Sequence, residues 1–163
     1  MISLFPKAEY LDAFSIPYEE YFELGYRGII FDIDNTLVLP DAPIDDRASM
    51  LIQRLKSIGF DICLVSNNVE GRVRDFAHPI DVKYVSKAAK PSQSGYKKAA
   101  TLMDLEPRQI LSIGDQIFTD VLGANLAGMY SILTHPFTYD EILGIRIKRL
   151  IEIPILKIYH LHK

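Results

Sequence analysis

With 163 residues, a formal net charge of −3, 48% hydrophobic and 24% charged residues, the chain has the composition of one globular domain able to bury a core. That balance gives no reason to expect a nucleic-acid partner. No apolar run approaches the ~20 residues that span a bilayer, and the opening residues lack the basic and long apolar regions of a secretory signal. The single Cys63 excludes an internal disulfide, so a cytoplasmic protein is expected.

Residues 1–24 set Lys7 against Glu9, Asp12, Glu19, Glu20 and Glu23, and are expected to form a short helical preface on the core. Five apolar runs follow: Tyr26 to Ile33, Phe60 to Val65, Val82 to Val85, Ile110 to Ile113 and Met129 to Leu133. Several are continuously apolar, as for parallel strands covered on both faces. Cys63 falls inside one and reads as a core residue.

Helical segments alternate with these strands. Arg47 to Ile58 carries Met50, Leu51, Leu55 and Ile58 at helical spacing, with Asp45 and Asp46 as caps and Gly59 as the stop. Glu70 to Ala77, closed by Pro79, is a weaker helix whose Arg72 and Arg74 read as a solvated face, with flanking of an anionic substrate as the alternative. Ser92 to Met103 and Thr119 to Ala127 complete the set. The alternation predicts an α/β fold: a three-layer open parallel sheet with right-handed crossovers, Rossmann-like, in one domain over residues 1–163. Its catalytic core spans residues 26–135, and a basic segment spans 136–163.

Ligands of such sheets bind beyond the carboxyl ends of the strands. Asp32-Ile33-Asp34-Asn35-Thr36 follows the first strand, Ser66-Asn67-Asn68 the second, Lys90-Pro91 the third and Gly114-Asp115, with Asp120, the fourth. A buried strand closing on two carboxylates needs a cation or a shared proton. The chemistry that uses this set is phosphoryl transfer through an aspartyl-phosphate. One carboxylate attacks phosphorus, a second moves protons, a hydroxyl and an ammonium hold the equatorial oxygens, and Mg²⁺ takes oxygen ligands beside them. Lys90 precedes Pro91 and is extended, suiting a side chain aimed into a cleft. Asn35, Asn67 and Asn68 are turn-formers first, Asn67 also being a candidate for contact with substrate or nucleophile. Thr36 is expected to fix the loop, and His135 to sit at the rim.

Asp-x-Asp-x-Thr, the strand-end Ser, Lys-Pro and Gly-Asp-x4-Asp, in this order, resemble the haloacid dehalogenase (HAD) phosphatase superfamily over roughly residues 26 to 135. The resemblance implies Asp32 as nucleophile and Asp34 as general acid/base, with Ser66 and Lys90 binding the phosphoryl group and Lys90 also restraining Asp32. It further implies that Asp32, the Asp34 carbonyl and Asp115 hold Mg²⁺, and that Asp120 supports the metal from behind or through water.

Asp-Ile-Asp-Asn-Thr-Leu-Val and the run from Gly114 to Tyr130 are similar to the YqeG group of HAD subclass IIIA, itself similar to organellar phosphatidylglycerophosphate phosphatases. This implies a lipid-headgroup substrate, phosphatidylglycerophosphate. The alternatives are a soluble sugar, nucleotide or phosphoprotein substrate, or a slow or inactive HAD-fold interaction protein.

Neither Leu37 to Phe60 nor Ser66 to Lys90 leaves room for the cap domain of HAD enzymes that take small metabolites. The core is expected to be capless, with an open site for phosphate presented on a large surface or covered by an oligomer partner. In the last segment Ile145 to Ile158 is rich in isoleucine and in cations. It is expected to pack on the sheet, with peripheral membrane contact as the alternative. Pro154 is expected to interrupt any single long helix there.

Overall fold

The structure, a computed structural model, describes residues 3–139 and 143–162. Six parallel strands form one sheet: β1 (Ala8–Tyr10), β2 (Gly28–Phe31), β3 (Asp61–Val65), β4 (Lys83–Val85), β5 (Ile110–Gly114) and β6 (Tyr130–Thr134). Their spatial order is β1-β6-β5-β2-β3-β4. From β2 the chain builds outward to β3 and β4 on one side, then returns to β5 and β6 on the other. The carboxyl end of β2 is therefore the switch point, where the crossovers leave a crevice.

Alternation along the strands feeds two cores. Ile29 and Phe31 of β2 face α1 (Tyr18–Glu23), α2 (Asp46–Ile58) and α3 (Glu70–Ala77), in a cluster that holds Leu51, Ile52, Leu55, Val73 and Phe76. Ile30 and Cys63 face α4 (Gln93–Met103) and α5 (Leu122–Leu126) among Tyr96, Ala99, Met103 and Ala124. Burial on both faces explains why these strands read as unbroken apolar runs.

The caps of α2 are the expected ones. The Asp45 carboxylate accepts the Ala48 N–H at 2.7 Å, and Gly59 stops the helix in the left-handed region at φ 118°. Its buried face, however, is Ala48, Leu51, Ile52 and Leu55, whereas Met50 is exposed. The connection from β2 to α2 is a loop, and that from β3 to β4 holds only α3 and a turn of 3₁₀-helix. Neither contains an inserted cap.

Three expectations are corrected. The N-terminal preface is a strand as well as a helix: β1 pairs with β6, Ala8 beside Ile132 and Tyr10 beside Thr134. Three half-buried residues are too short a run to show a period. The helix expected from Thr119 instead starts as a π-helical turn over Ile117–Val121 before α5 continues.

Third, Pro154 lies within one helix, α6 (Leu143–Leu161). Pro154 is on the exposed side, where the carbonyl it frees can be hydrated. Ile155 and Leu156, on the opposite side, pack on Ile117, Val121 and Leu133, so one face of the segment does cover the core.

Candidate active site

The site is built where β2, β3 and β5 end. Asp32 continues β2, its N–H bonded to the Ile113 carbonyl at 3.0 Å. The turn after it is closed by Asn35, held at φ 63°, whose N–H bonds the Val38 carbonyl at 2.8 Å and whose side chain is tied to the Thr138 main chain at 3.1 Å. Asn is one of the few residues that accept this conformation. Thr36, buried, directs its hydroxyl to Asp115 at 3.4 Å, which agrees with a loop-fixing role.

Lys90 is the centre of charge. Its ammonium lies 2.6 Å from Asp32 and 2.7 Å from Asp120. Asn67 accepts the Lys90 N–H at 2.7 Å, so this asparagine braces the lysine backbone from beside the cleft. Carboxylate oxygens of Asp32, Asp115 and Asp120 all fall within 4.8 Å of one another. Gly114 makes this spacing attainable, because a Cβ there would sit 2.3 Å from the Asp120 side chain. Asp120, expected behind the metal or reached through water, thus stands among the three clustered carboxylates. The Asp34 carboxylate lies apart, accepting from Asn68 at 2.7 Å, Arg72 at 3.1 Å and the Asp41 N–H at 2.9 Å.

Burial and crowding show in the acidities. Burial lifts Asp32 to about 7, with Asp120 adding to the rise and Lys90 opposing it. Asp115 is raised by burial and by Asp32 and Asp120, against Arg149. Burial works against the Lys90 ammonium, yet Asp120 and Asp32 outweigh it and hold the group well above the usual lysine range. Two cations thus face three crowded carboxylates, and a hard cation with oxygen ligands relieves the excess. The donor set fits a divalent metal.

A cleft of about 460 Å³ opens on this cluster, lined by Asp32, Asp34, Ser66, Asn67, Lys90 and Gln116 among others. The Ser66 hydroxyl accepts the Asn68 N–H at 3.1 Å, which leaves its proton to donate into the cleft.

Two residues of the site, Arg149 and Glu152, escaped sequence reasoning, and a third was read mainly as solvated. Arg72, expected on a solvated face, bonds Asp34 and the Ala42 carbonyl, the latter at 2.6 Å. Arg149 of α6 pairs with the Asp115 carboxylate and bonds its carbonyl at 3.1 Å. Glu152, buried and raised in pKa mainly by that burial, accepts the Ile117 and Phe118 N–H groups at 2.8 and 3.2 Å. The lone acid in a basic isoleucine-rich stretch was the available clue to it. His135, by contrast, pairs with Glu9 at 3.2 Å outside the cleft.

Carboxylates, a buried lysine and a hydroxyl at the switch point of a parallel sheet define an α/β enzyme site built on a carboxylate cluster with a donor set that fits a divalent metal. The chain belongs to the haloacid dehalogenase-like hydrolase family, whose model matches residues 39–128, a stretch that holds Ser66, Lys90, Asp115 and Asp120.

It is 37% identical over 144 residues to the probable phosphatase YqeG of Bacillus subtilis, covering 88% of this chain and 84% of the relative. It is 24% identical over 163 residues to phosphatidylglycerophosphate phosphatase 1, chloroplastic/mitochondrial, of Arabidopsis thaliana. That match covers 93% of this chain but only 47% of the plant protein, so the chain spans about half of that relative's length. A HAD-superfamily hydrolase from Ehrlichia chaffeensis superposes with a TM-score of 0.56 at 19% identity, over 74% of this chain and 94% of that one; this likeness establishes the fold.

Proposed function

We propose that this hydrolase is a Mg²⁺-dependent phosphatase that works through phospho-Asp32 and acts on phosphatidylglycerophosphate. The observation that carries the reading is the Lys90 ammonium bridging Asp32 and Asp120, with Asp115 beside them, at the floor of an open cleft. Asp32 is the nucleophile: its carboxylate oxygen bonds to phosphorus as the bond from phosphorus to the leaving alkoxide breaks. Asp34 lines the same cleft and supplies the proton to that oxygen. It then takes one from the water that hydrolyses the acyl phosphate. Lys90 and the Ser66 proton bind the equatorial oxygens. Asp32, Asp115 and the Asp34 carbonyl are the proposed holders of Mg²⁺, with Asp120 braced by Lys90 and the Gln116 N–H (2.7 and 3.1 Å). The ion supplies charge neutralisation where a carboxylate approaches a phosphate.

The lipid substrate is supported by the named relatives, by the uncapped cleft and by α6. Ile147, Leu150, Ile151, Ile158 and Leu161 are exposed along α6 at spacings that place them on one outward stripe, opposite buried Glu152 and beside Arg146 and Lys157. An apolar face flanked by cations suits peripheral contact with an anionic membrane. Among the described residues no helix is long and apolar enough to cross a membrane.

The test compares phosphatidylglycerophosphate in mixed micelles with p-nitrophenyl phosphate, each with Mg²⁺ and with EDTA. Much faster turnover of the lipid, abolished by EDTA, is the expected result. Equal rates on the two substrates would count against the lipid, and EDTA-resistant turnover against the metal.

A further inference from the structure

A second cavity, of about 300 Å³, lies between α6 and the end of β6, with Asp115 in its wall. Its walls include Ile117, Leu133, Pro136, Leu150, Ile153 and Leu156. The volume is at the small end for ligand pockets, which are typically apolar with a few placed polar groups. The polar groups here include Arg146 and Arg149 of α6 and the carboxylates of Glu9, Asp115 and Glu152, Arg149 being paired with Asp115. Leu150 and Ile153 are 67% and 47% exposed, so the cavity opens at the helix surface and runs into the outward apolar stripe. The same helix lends Ile145 and Lys148 to the wall of the polar cleft. One helix therefore borders both spaces, with exposed Arg146 in the wall of the cavity and exposed Lys148 in the wall of the cleft.

We infer that this cavity is a binding subsite for one acyl chain of an anionic glycerophospholipid, the headgroup of which leaves the pocket past Arg146 and reaches the cleft at Lys148. The occupant follows from the juxtaposition. An apolar pocket of hydrocarbon size with Arg146 in its wall and a polar cleft with Lys148 in its wall succeed one another along α6, as chain and phosphorylated headgroup do along a phospholipid. An outward stripe alone would only lie on a bilayer. The pocket adds a place for a single chain to leave it, beside the carboxylate cluster. This assignment deepens the lipid reading above and rests on it for the direction of the headgroup, but binding can be measured without hydrolysis.

The probes are 1-acyl-lysophosphatidylglycerols of six to twelve carbons, kept below their critical micelle concentrations and titrated calorimetrically into the full chain. They carry the diester headgroup and no phosphomonoester. Each methylene buried in the pocket strengthens binding about fourfold. Saturable 1:1 binding is expected, tightening by that factor per methylene until the pocket fills and then levelling off. Ile153→Glu, at the exposed mouth, is expected to weaken decanoyl-lysophosphatidylglycerol at least tenfold while p-nitrophenyl phosphate hydrolysis is unchanged.

Equal affinity for chainless glycerophosphoglycerol, or affinity that rises with chain length without levelling, would overturn the subsite. So would decanoate binding as tightly as the lysolipid, which would make the occupant a fatty carboxylate, or indifference to Ile153→Glu. Expected binding without turnover of phosphatidylglycerophosphate would remove the substrate reading and leave the subsite standing. Turnover without chain-length dependence would do the reverse.

Discussion

Removing the charge of Asp32 should abolish turnover and, at the same time, stabilise the metal-free protein. In the folded chain burial lifts this carboxyl from 3.8 to about 7. The folded state therefore holds the Asp32 proton more tightly than the unfolded chain does. The stability linked to that proton is fully present below about pH 4 and is lost as pH rises through about 7. At about 1.4 kcal/mol per pKa unit, the ionised side chain costs at most about 4 kcal/mol above that range.

Asp32→Asn removes this cost, from which the attraction to Lys90 is already subtracted, and solvent reaching the carboxylate from the cleft screens its charge and trims the gain. A net 2–3 kcal/mol is a fair expectation, about 5–10 °C in Tm for a chain of this size. The assay is thermal unfolding in EDTA at pH 5 and pH 8, with and without added Mg²⁺. The variant should melt higher than the parent at pH 8, by much less at pH 5, and should gain less from Mg²⁺. A variant that melts lower at pH 8, or whose gain is the same at both pH values, would refute the electrostatic account of the site. Normal hydrolysis by the same variant would refute phospho-Asp32.

Lys90→Met keeps the bulk of the side chain and leaves Asp32 and Asp120 buried without their shared cation. It should cost about 3–5 kcal/mol in urea unfolding at pH 8, with a smaller loss at pH 5, and lower kcat by about 10²–10³. In Gly114→Ala the new methyl group falls 2.3 Å from the Asp120 side chain and must displace it. A Mg²⁺ titration of activity should then show at least tenfold weaker metal dependence, with a stability loss of about 1–3 kcal/mol.

The sequence made the central sheet legible because β2, β3 and β5 are buried on both faces, and unbroken apolar runs such as Gly28–Phe31 and residues 62–65 carry that imprint directly. The acids and Lys90 were legible for a related reason: charged residues closing such runs have few structural explanations. β1 was not, since a three-residue edge strand leaves no periodic trace. Arg72, Arg149 and Glu152 were hidden by helical faces. Arg72 shares α3 with the exposed Arg74, which pairs with its neighbour Asp75, and nothing in their spacing says which one turns to Asp34. Arg149 and Glu152 meet the site only because α6 runs through Pro154, against local propensity, and docks on Ile117 and Leu133.

The strand order carries a consequence for how the chain assembles. β1 emerges first, yet its strand partner β6 lies some 120 residues later in the chain (Ala8 pairs with Ile132), and β2 must wait for β5 before it has neighbours on both sides. Pairings this distant close large loops and slow folding. During synthesis the β2–β3–β4 half can form early, with Asp32 at its open edge. β1 joins the sheet only after β6 has been made. The strand that precedes all the others in the sheet is thus among the last to find its place, and hydrogen exchange pulsed during refolding should show β1 protected after β2 and β3.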